Sequence, residues 1–355
     1  MAWQYSFESH IWIFSVGRGI AAFVRTGLNY GIIVDMASSD EFSPADFIRN
    51  VLCKKLTTYK ECRIAQAILS HPHRDHIQQC DYLAKDKPLH PYLLTCPNDL
   101  KAGEKIDWDR ISDDRAGFAE LLESYQSLFE KRTPGLQTIE YETNRQLASQ
   151  LEYGIYYLDP PVCGILHPPA DNEYGNATSI MMYLRHGNNT ILFPGDMTPE
   201  GMEHVLDGDY GVEKRYTVFK PSFKREHPEW HENTSNQPSL AALLGTYGLS
   251  ILVAPHHGLE SCYSQDLYNA IKGGKPQLVV ISEKRHTSET DGTIHKNYQS
   301  DSGASRLNVL VDGTQEKRIS VSTANGHHIL IVFNGTGVPK VYLEKDPMDL
   351  FRYIN

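Results

Sequence analysis

Long apolar runs, paired cysteines and an excess of basic charge are all missing from this chain. No segment of its 355 residues approaches the roughly 20 consecutive apolar positions of a membrane helix, so no membrane partner is expected. The opening run Met1-Ala-Trp-Gln-Tyr-Ser-Phe-Glu8 has neither a basic region nor an apolar stretch, and no signal peptide is expected from it. Cys53, Cys62, Cys80, Cys96, Cys163 and Cys262 are scattered, with no Cys-x-x-Cys pair. That excludes a zinc knuckle or a dithiol redox motif and reads as reduced structural thiols in a cytoplasmic protein. Lysine and arginine number 34 against 44 acidic residues, a net charge of −10. Such a chain is a poor general coat for polyanions. A site acting on one would draw its positive field from bound dications or local Lys and Arg. Gly-x-Ser-x-Gly elbows, phosphate loops and dinucleotide fingerprints are absent too, so none of them competes for the chemistry.

What is present is concentrated in one place. Residues 70–76 read Ser-His-Pro-His-Arg-Asp-His, a His-x-His-x-Asp-His pattern built from His71, His73, Asp75 and His76. Imidazole nitrogen and carboxylate oxygen are ligands for zinc, manganese and iron, and packing alone gives no reason to set four such groups side by side. An apolar run ends at Ser70 and a helical pattern begins at Ile77. The motif therefore sits on a strand-to-helix turn, where ligands can converge. His10, His90, His186, His204 and His327 stand alone and read as ordinary structural residues.

Along the chain, residues 8–36 alternate like a hairpin, and Ser43-Pro44 opens a capped helix over 43–52. A helical period runs from Asp107 to Lys131. Strands are expected at 63–69, 137–141, 154–158, 164–167, 179–184, 190–193, 278–282 and 328–333. No internal repeat appears. Mixed strands and helices of this kind fit an α+β fold with helices packed on two stacked sheets, a four-layer αββα sandwich. The segment 200–250 interleaves basic and aromatic residues. Its Lys214, Arg215, Lys220, Lys224 and Arg225 are candidate contacts to a phosphate backbone.

The cluster and several other segments resemble the metallo-β-lactamase fold superfamily. Those segments are Ile11–Ile20 with Gly31-Ile-Ile-Val-Asp35, Ile191-Leu-Phe-Pro-Gly-Asp196 and Ile251-Leu-Val-Ala-Pro-His-His-Gly258. Within it, Val16-Gly-Arg-Gly19, Asn176-Ala-Thr-Ser179 and His256-His-Gly258 are similar to the branch containing the hydrolase domain of the ComEC competence protein. The similarity covers most of residues 8–335. It implies one hydrolase domain over 1–335, with insertions at 97–150 and 200–250, and a C-terminal extension over 336–355. Unlike the ComEC protein, this chain shows no membrane channel.

The resemblance also implies a site. His71 and His73 would hold one divalent metal, Asp75 and His76 a second, and Asp196 would bridge them. His257 would complete the second set while His256 faces the substrate, although the two could exchange roles. Zinc is the expected metal, with manganese as the alternative. Many superfamily members carry a His where this chain has Asn176, so the first half is expected to be one protein nitrogen short. His167, upstream, is a further candidate for that place, and His286 and His295 are candidates for the last His that some superfamily members carry after the strand following His-His-Gly. The implied activity is a phosphodiesterase or nuclease that uses a dinuclear metal-activated hydroxide, with Asp75 orienting it and His256 serving the leaving group. Its substrate would be DNA, RNA or a nucleotide-like ester. Relatives of this kind also occur beside NTPase partners in antiphage defence, which makes a partner-gated effector one expectation. Two alternatives stay open: hydrolysis of a small ester, thioester, lactone or cyclic nucleotide, and a non-catalytic metal-binding sensor or scaffold.

Overall fold

The computed structural model describes residues 8–26, 31–56, 64–84, 87, 89–91, 93–97, 118–130, 133–134, 140–141, 151–158, 160–167, 173–209, 217–219, 238–283 and 294–354. The fold is mixed α/β, with two sheets and helices. Around the first sheet's centre the strands run in the order His328–Phe333, Ser9–Ile13, Ala21–Arg25, Gly31–Met36, Ile64–Ile68 and Leu93–Thr95. The second sheet runs Ser320–Ser322, Leu278–Ile281, Ile251–Val253, Asn189–Phe193, Met181–His186, Leu151–Tyr156 and Glu140–Tyr141.

Period-two alternation sorts the side chains into three apolar clusters. Ile11, Ile13, Ile32 and Val34 from the first sheet share a cluster with Met182, Leu184, Ile191 and Val253 from the second. Their neighbours Trp12, Phe14, Phe23 and Ile33 turn the other way, onto Phe47, Leu122, Tyr125 and Leu128. Tyr183, Leu192 and Leu252 pack instead with Met202, Val205, Leu244 and Leu267. The central strands are therefore buried on both faces, as Ile-Ala-Gln-Ala-Ile over 64–68 shows with all five residues buried.

Parallel pairing decides where the site lies. Gly31–Met36 runs parallel to Ile64–Ile68, while Asn189–Phe193, Ile251–Val253 and Leu278–Ile281 are mutually parallel in the second sheet. The C-terminal ends of these five strands deliver Asp35, residues 70–76, Asp196, His256-His257 and Ser282. Crevices at such strand ends are where open α/β sheets bind ligands.

Ser43 caps the helix Pro44–Phe47, its hydroxyl accepting from Asp46 N at 3.2 Å, as expected. Residues 164–167 are a correction. They belong to a helix, Pro160–Leu166, and not to a strand, with His167 N donating to Cys163 O at 2.8 Å. Four residues, Gly-Ile-Leu-His, are too few to distinguish the two states. Pro160-Pro161 decides it by fixing φ for a first helical turn. Residues beyond 335 are built into the fold: Lys340–Glu344 lies in the first sheet between Leu307–Val311 and His328–Phe333. Cys80, Cys96, Cys163 and Cys262 are buried thiols. Cys53 is disulfide-bonded, against the expectation of reduced thiols throughout, because spacing along a chain does not report proximity in the fold. Among the described residues no helix is long and apolar enough to cross a membrane.

Candidate metal centre

Backbone strain gathers where the strands end. Among the described residues, four non-glycine residues have positive φ, and three of them are Asp35 at 56°, His256 at 46° and His257 at 58°. Holding such conformations costs about 1–3 kcal/mol each, and proteins retain them chiefly where geometry serves a site. Glycine makes the room. Gly195 has φ +60°, and a Cβ there would lie 2.9 Å from Ser70 Cβ and 3.1 Å from Ser179 Cβ. At Gly19, φ +118°, a Cβ would meet the Asp75 carbonyl oxygen at 2.3 Å. The Val16-Gly-Arg-Gly19 turn thus packs directly against the histidine cluster.

Two ligand sets result. The metal-ligating atoms of His71, His73 and Asp196 all lie within 4.8 Å of one another, as do those of Asp75, His76 and His257. Asp196 stands between the sets. Its Oδ1 is 3.3 Å from His76 Nε2, and its Oδ2 is 3.6 Å from His71 Nε2 and 3.8 Å from His257 Nε2. His257 Nε2 is also 3.3 Å from Asp75 Oδ2.

The outer ring nitrogens are anchored. His257 Nδ1 lies 3.0 Å from the Ser282 carbonyl oxygen, an acceptor only, so Nδ1 carries the hydrogen. His76 Nδ1 faces Asp35 Oδ2 at 2.8 Å on the same terms. Ser70 gives its hydroxyl hydrogen to Asp35 Oδ2 at 2.8 Å and its backbone N–H to Oδ1 at 2.6 Å. Its oxygen is then left to accept from His71 Nδ1 at 3.1 Å. Ser179 Oγ, 3.5 Å from the same ring, accepts from Asp196 N at 3.1 Å. His71 and His257 therefore turn an Nε2 lone pair inward, and His76 aims its Nε2 at the same place, 3.3 Å from Asp196 Oδ1. Those three Nε2 atoms are buried and have no hydrogen-bond partner. Buried polar atoms are rarely left so, and an inward lone pair backed by an outer hydrogen bond is how proteins present histidine to a metal. The residues fit a pair of divalent ions of the zinc, manganese or iron class.

Electrostatics agree. Burial holds His71 well below the ordinary imidazole value, helped by the charges of His76 and His73, and burial also lowers His73. Burial opposes the charge on His76 too, but Asp196 and Asp35 outweigh it and raise that ring well above its usual value. Without metal His76 thus holds a proton that a cation at Nε2 would displace. Burial alone would raise Asp196, yet the surrounding imidazoles, His76 first, pull it well below the usual carboxylate range. Asp75 is lowered likewise: burial opposes, and the nearby imidazoles of His257, whose Nε2 lies 3.3 Å from Oδ2, and His76 outweigh it.

His256 stands in neither ligand set. Its Nε2 is 3.6 Å from Asp196 Oδ2 and its Nδ1 is 3.2 Å from Cys262 Sγ. Burial lowers it, and His257 and Arg18 lower it further, so the Arg18 charge is felt at the site. Asn176 lies on the helix Tyr174–Ala177 and is buried. Its Nδ2 donates to Glu173 Oε2 at 2.9 Å, while its Oδ1 is buried without a partner. His167 Nε2 lies 3.4 Å from Thr198 Oγ1. His295 caps the turn Lys296–Gln299 and stacks on Tyr263 at 3.9 Å. His286, Lys214, Arg215, Lys220, Lys224 and Arg225 lie outside the described residues. Sequence reading assigned no role to Asp35 beyond a buried acid and passed over Ser70, Ser179, Ser282, Cys262 and Arg18. Adjacency to the motif marked Ser70, and the Gly-Arg-Gly turn marked Arg18. Nothing local marks Ser282 or Cys262.

No family model and no curated protein matches the sequence. Among solved structures, the chain is similar to a candidate metal-dependent hydrolase from Parabacteroides distasonis ATCC 8503. Identity is 12%, covering 82% of this chain and 90% of that one, with a TM-score of 0.34. It is also similar to CmlA, a diiron β-hydroxylase from Streptomyces venezuelae, at 13% identity over 76% of this chain and 44% of that one, with a TM-score of 0.29. At these scores neither likeness carries an argument about this protein, and the reading of its site rests on its own geometry.

Proposed function

We propose that this chain is a metal-dependent hydrolase of the four-layer αββα, metallo-β-lactamase type, acting as a phosphodiesterase or nuclease. One observation carries the metal-dependent part: three buried, partnerless Nε2 atoms converge on Asp196. The substrate class and any association with an NTPase partner rest on the sequence resemblance.

In this reading His71, His73 and Asp196 hold one ion, and Asp75, His76 and His257 hold the other. Asp196, whose oxygens lie 3.3–3.8 Å from imidazoles of both sets, would serve both. When bound, a metal pair supplies Lewis acidity toward a phosphoryl oxygen and makes water acidic enough to attack near neutral pH. The protein does the rest. Asp35 and Ser70 fix the imidazoles of His76 and His71, and the Ser282 carbonyl fixes His257. Asp75, partly open to solvent, orients the attacking water. Arg18 supplies positive charge that the chain's overall acidity withholds, beside the place where a phosphate would sit. His256 lies close enough to Asp196 to pass a proton to the departing group.

The test is direct. Metal content is measured on purified protein, and linear DNA, RNA and bis-p-nitrophenyl phosphate are assayed with added zinc or manganese, alongside His71→Ala and Asp196→Ala. The expected result is metal bound to the wild type, cleavage of at least one phosphodiester, and loss of both in the variants. A wild type without metal, or variants that cleave as well as it does, would overturn the proposal.

A further inference from the structure

The turn that delivers His257 continues into a pair of stacked rings. His295 and Tyr263 lie face to face, 3.9 Å between centroids and 12° between planes. Two ties fix the pair to the metal centre. His295 N donates to the Gly258 carbonyl at 2.9 Å, in register with the antiparallel bridge between Leu259 and Ile294. That register puts the His295 Cα within roughly 9 Å of the His257 Cα. On the other side, Tyr263 follows Cys262, whose sulfur lies 3.2 Å from His256 Nδ1. The stack therefore stands beside the ligand sets, within the span of one nucleotide. The His295 ring is fixed twice, because its Nδ1 accepts the Asn297 N–H at 3.2 Å and Tyr263 covers one of its faces. Tyr263 is itself backed by the buried Tyr268, 5.1 Å away. Buried Tyr298 is steeply inclined to both stacked rings, at 72° and 5.9 Å from His295 and at 66° and 5.6 Å from Tyr263, so it closes the side of the stack. His295 is half-buried, and among the described residues no ring lies against its second face. It belongs to neither ligand set.

We infer that the outer face of His295, backed by Tyr263, is a shelf on which a base of the substrate stacks while its phosphate lies at the metal centre. The substrate is then a nucleotide ester and not a phosphodiester of any alcohol. The inference rests on the hydrolase reading above and deepens it by naming the substrate class. A flat ring held in place before the substrate arrives loses little freedom on binding, which is what makes such a shelf worth having. Every base offers a π-face, so the shelf accepts bases of any sequence. It also answers the acidity of the chain: stacking adds affinity that does not depend on a general excess of positive charge.

The test is calorimetric binding of adenosine monophosphate and of ribose phosphate to the full-length, zinc-loaded protein. The two share sugar and phosphate and differ only in the base. Wild type should bind the nucleotide about tenfold more tightly than the sugar phosphate. His295→Ala should bring that ratio to about one while leaving the sugar phosphate affinity and the zinc content as they were. His295→Phe keeps a flat ring and drops both nitrogens, and it should restore the ratio. A wild-type ratio of about one, or an unchanged ratio in His295→Ala, would overturn the inference. Equal weakening of both compounds in His295→Ala would overturn it too, since that is the mark of a structural role. Loss of zinc in His295→Phe would make the residue a ligand and not a shelf. If the wild type holds zinc but cleaves no diester, the hydrolase reading fails by itself, and the binding ratio still decides whether a base is held.

Discussion

The Asp75–His76–His257 half of the centre and the His71–His73 half share Asp196 but are anchored to different depths. In the first, His76 is tied to Asp35 at 2.8 Å and His257 to the Ser282 carbonyl at 3.0 Å, and both rings are buried. In the second, His71 is tied through Ser70, but His73 is only partly buried. It stands at the start of the short helix Arg74–Ile77, and no hydrogen bond to a described residue fixes its ring. A ligand already oriented loses less freedom when a metal arrives, so a set of anchored rings binds more tightly than the same chemistry on loose ones. The difference teaches that ligand identity alone does not rank two metal sites. The outer hydrogen bonds do.

The largest effect should come from the residue both halves need. Asp196→Ala removes the bridging carboxylate and leaves four imidazoles facing one another. Metal content should fall to below about one ion per chain and phosphodiesterase activity by about 10³-fold or more. Retention of two ions per chain would show that the halves do not share it. Next comes Asp35→Asn, which keeps the shape but weakens the anchor of His76 and, through Ser70, of His71. Losing an outer partner of this kind costs about 10–100-fold in metal affinity. Calorimetric titration of metal-stripped protein should show the tight step weakened first. A smaller effect separates the halves themselves. His73→Ala should abolish the weaker step and leave the tight constant within about threefold, whereas His257→Ala should abolish the tight step. The reverse pattern would break the ranking of the two halves.

Much of the site was legible in the sequence, because local chemistry wrote it. His71, His73, Asp75 and His76 fall within one turn, so their spacing alone forces them together. Asp196 and the His256-His257 pair came from the family resemblance, at a glycine and a His-His-Gly run that end strands, and which of the two histidines is the ligand was left open. The anchors were not readable. Ser282 contributes a backbone carbonyl, which any residue could supply, and Cys262 reaches His256 across a short turn with no motif around it. The fold divides in the same way. Strands such as Ser9–Ile13, in an alternating hairpin stretch, and His328–Phe333, a six-residue run rich in Ile, Val and Phe, announced themselves. The end of the helix Pro160–Leu166 read as a strand over 164–167 because Gly-Ile-Leu-His is too short to carry a period. The segment after 335 read as an extension because strand pairing with residues 307–311 and 328–333 is non-local.

The smallest effect on the centre itself should come from acid acting on buried imidazoles elsewhere. His186 and His328 are each pushed down to about 4, mainly by burial, from 6.5. His328 Nδ1 accepts the Ser15 N–H at 3.2 Å, and its ring packs against Phe42 at 4.4 Å, so the fold holds it neutral. A lowered imidazole pKa means that the unfolded chain binds more protons than the native one between the two values. Stability is therefore fully present above the unfolded value and is lost as pH falls toward about 4. Going from about pH 7 to about pH 5.5 should cost about 1 kcal/mol per ring. Urea unfolding of metal-stripped protein at both pH values measures it. His328→Gln keeps an acceptor for Ser15 and cannot titrate, so it should flatten the dependence by one ring's worth while leaving both metal-binding steps in place. A flattening accompanied by loss of a metal step would tie His328 to the centre, and the two halves would then no longer differ by their local anchors alone.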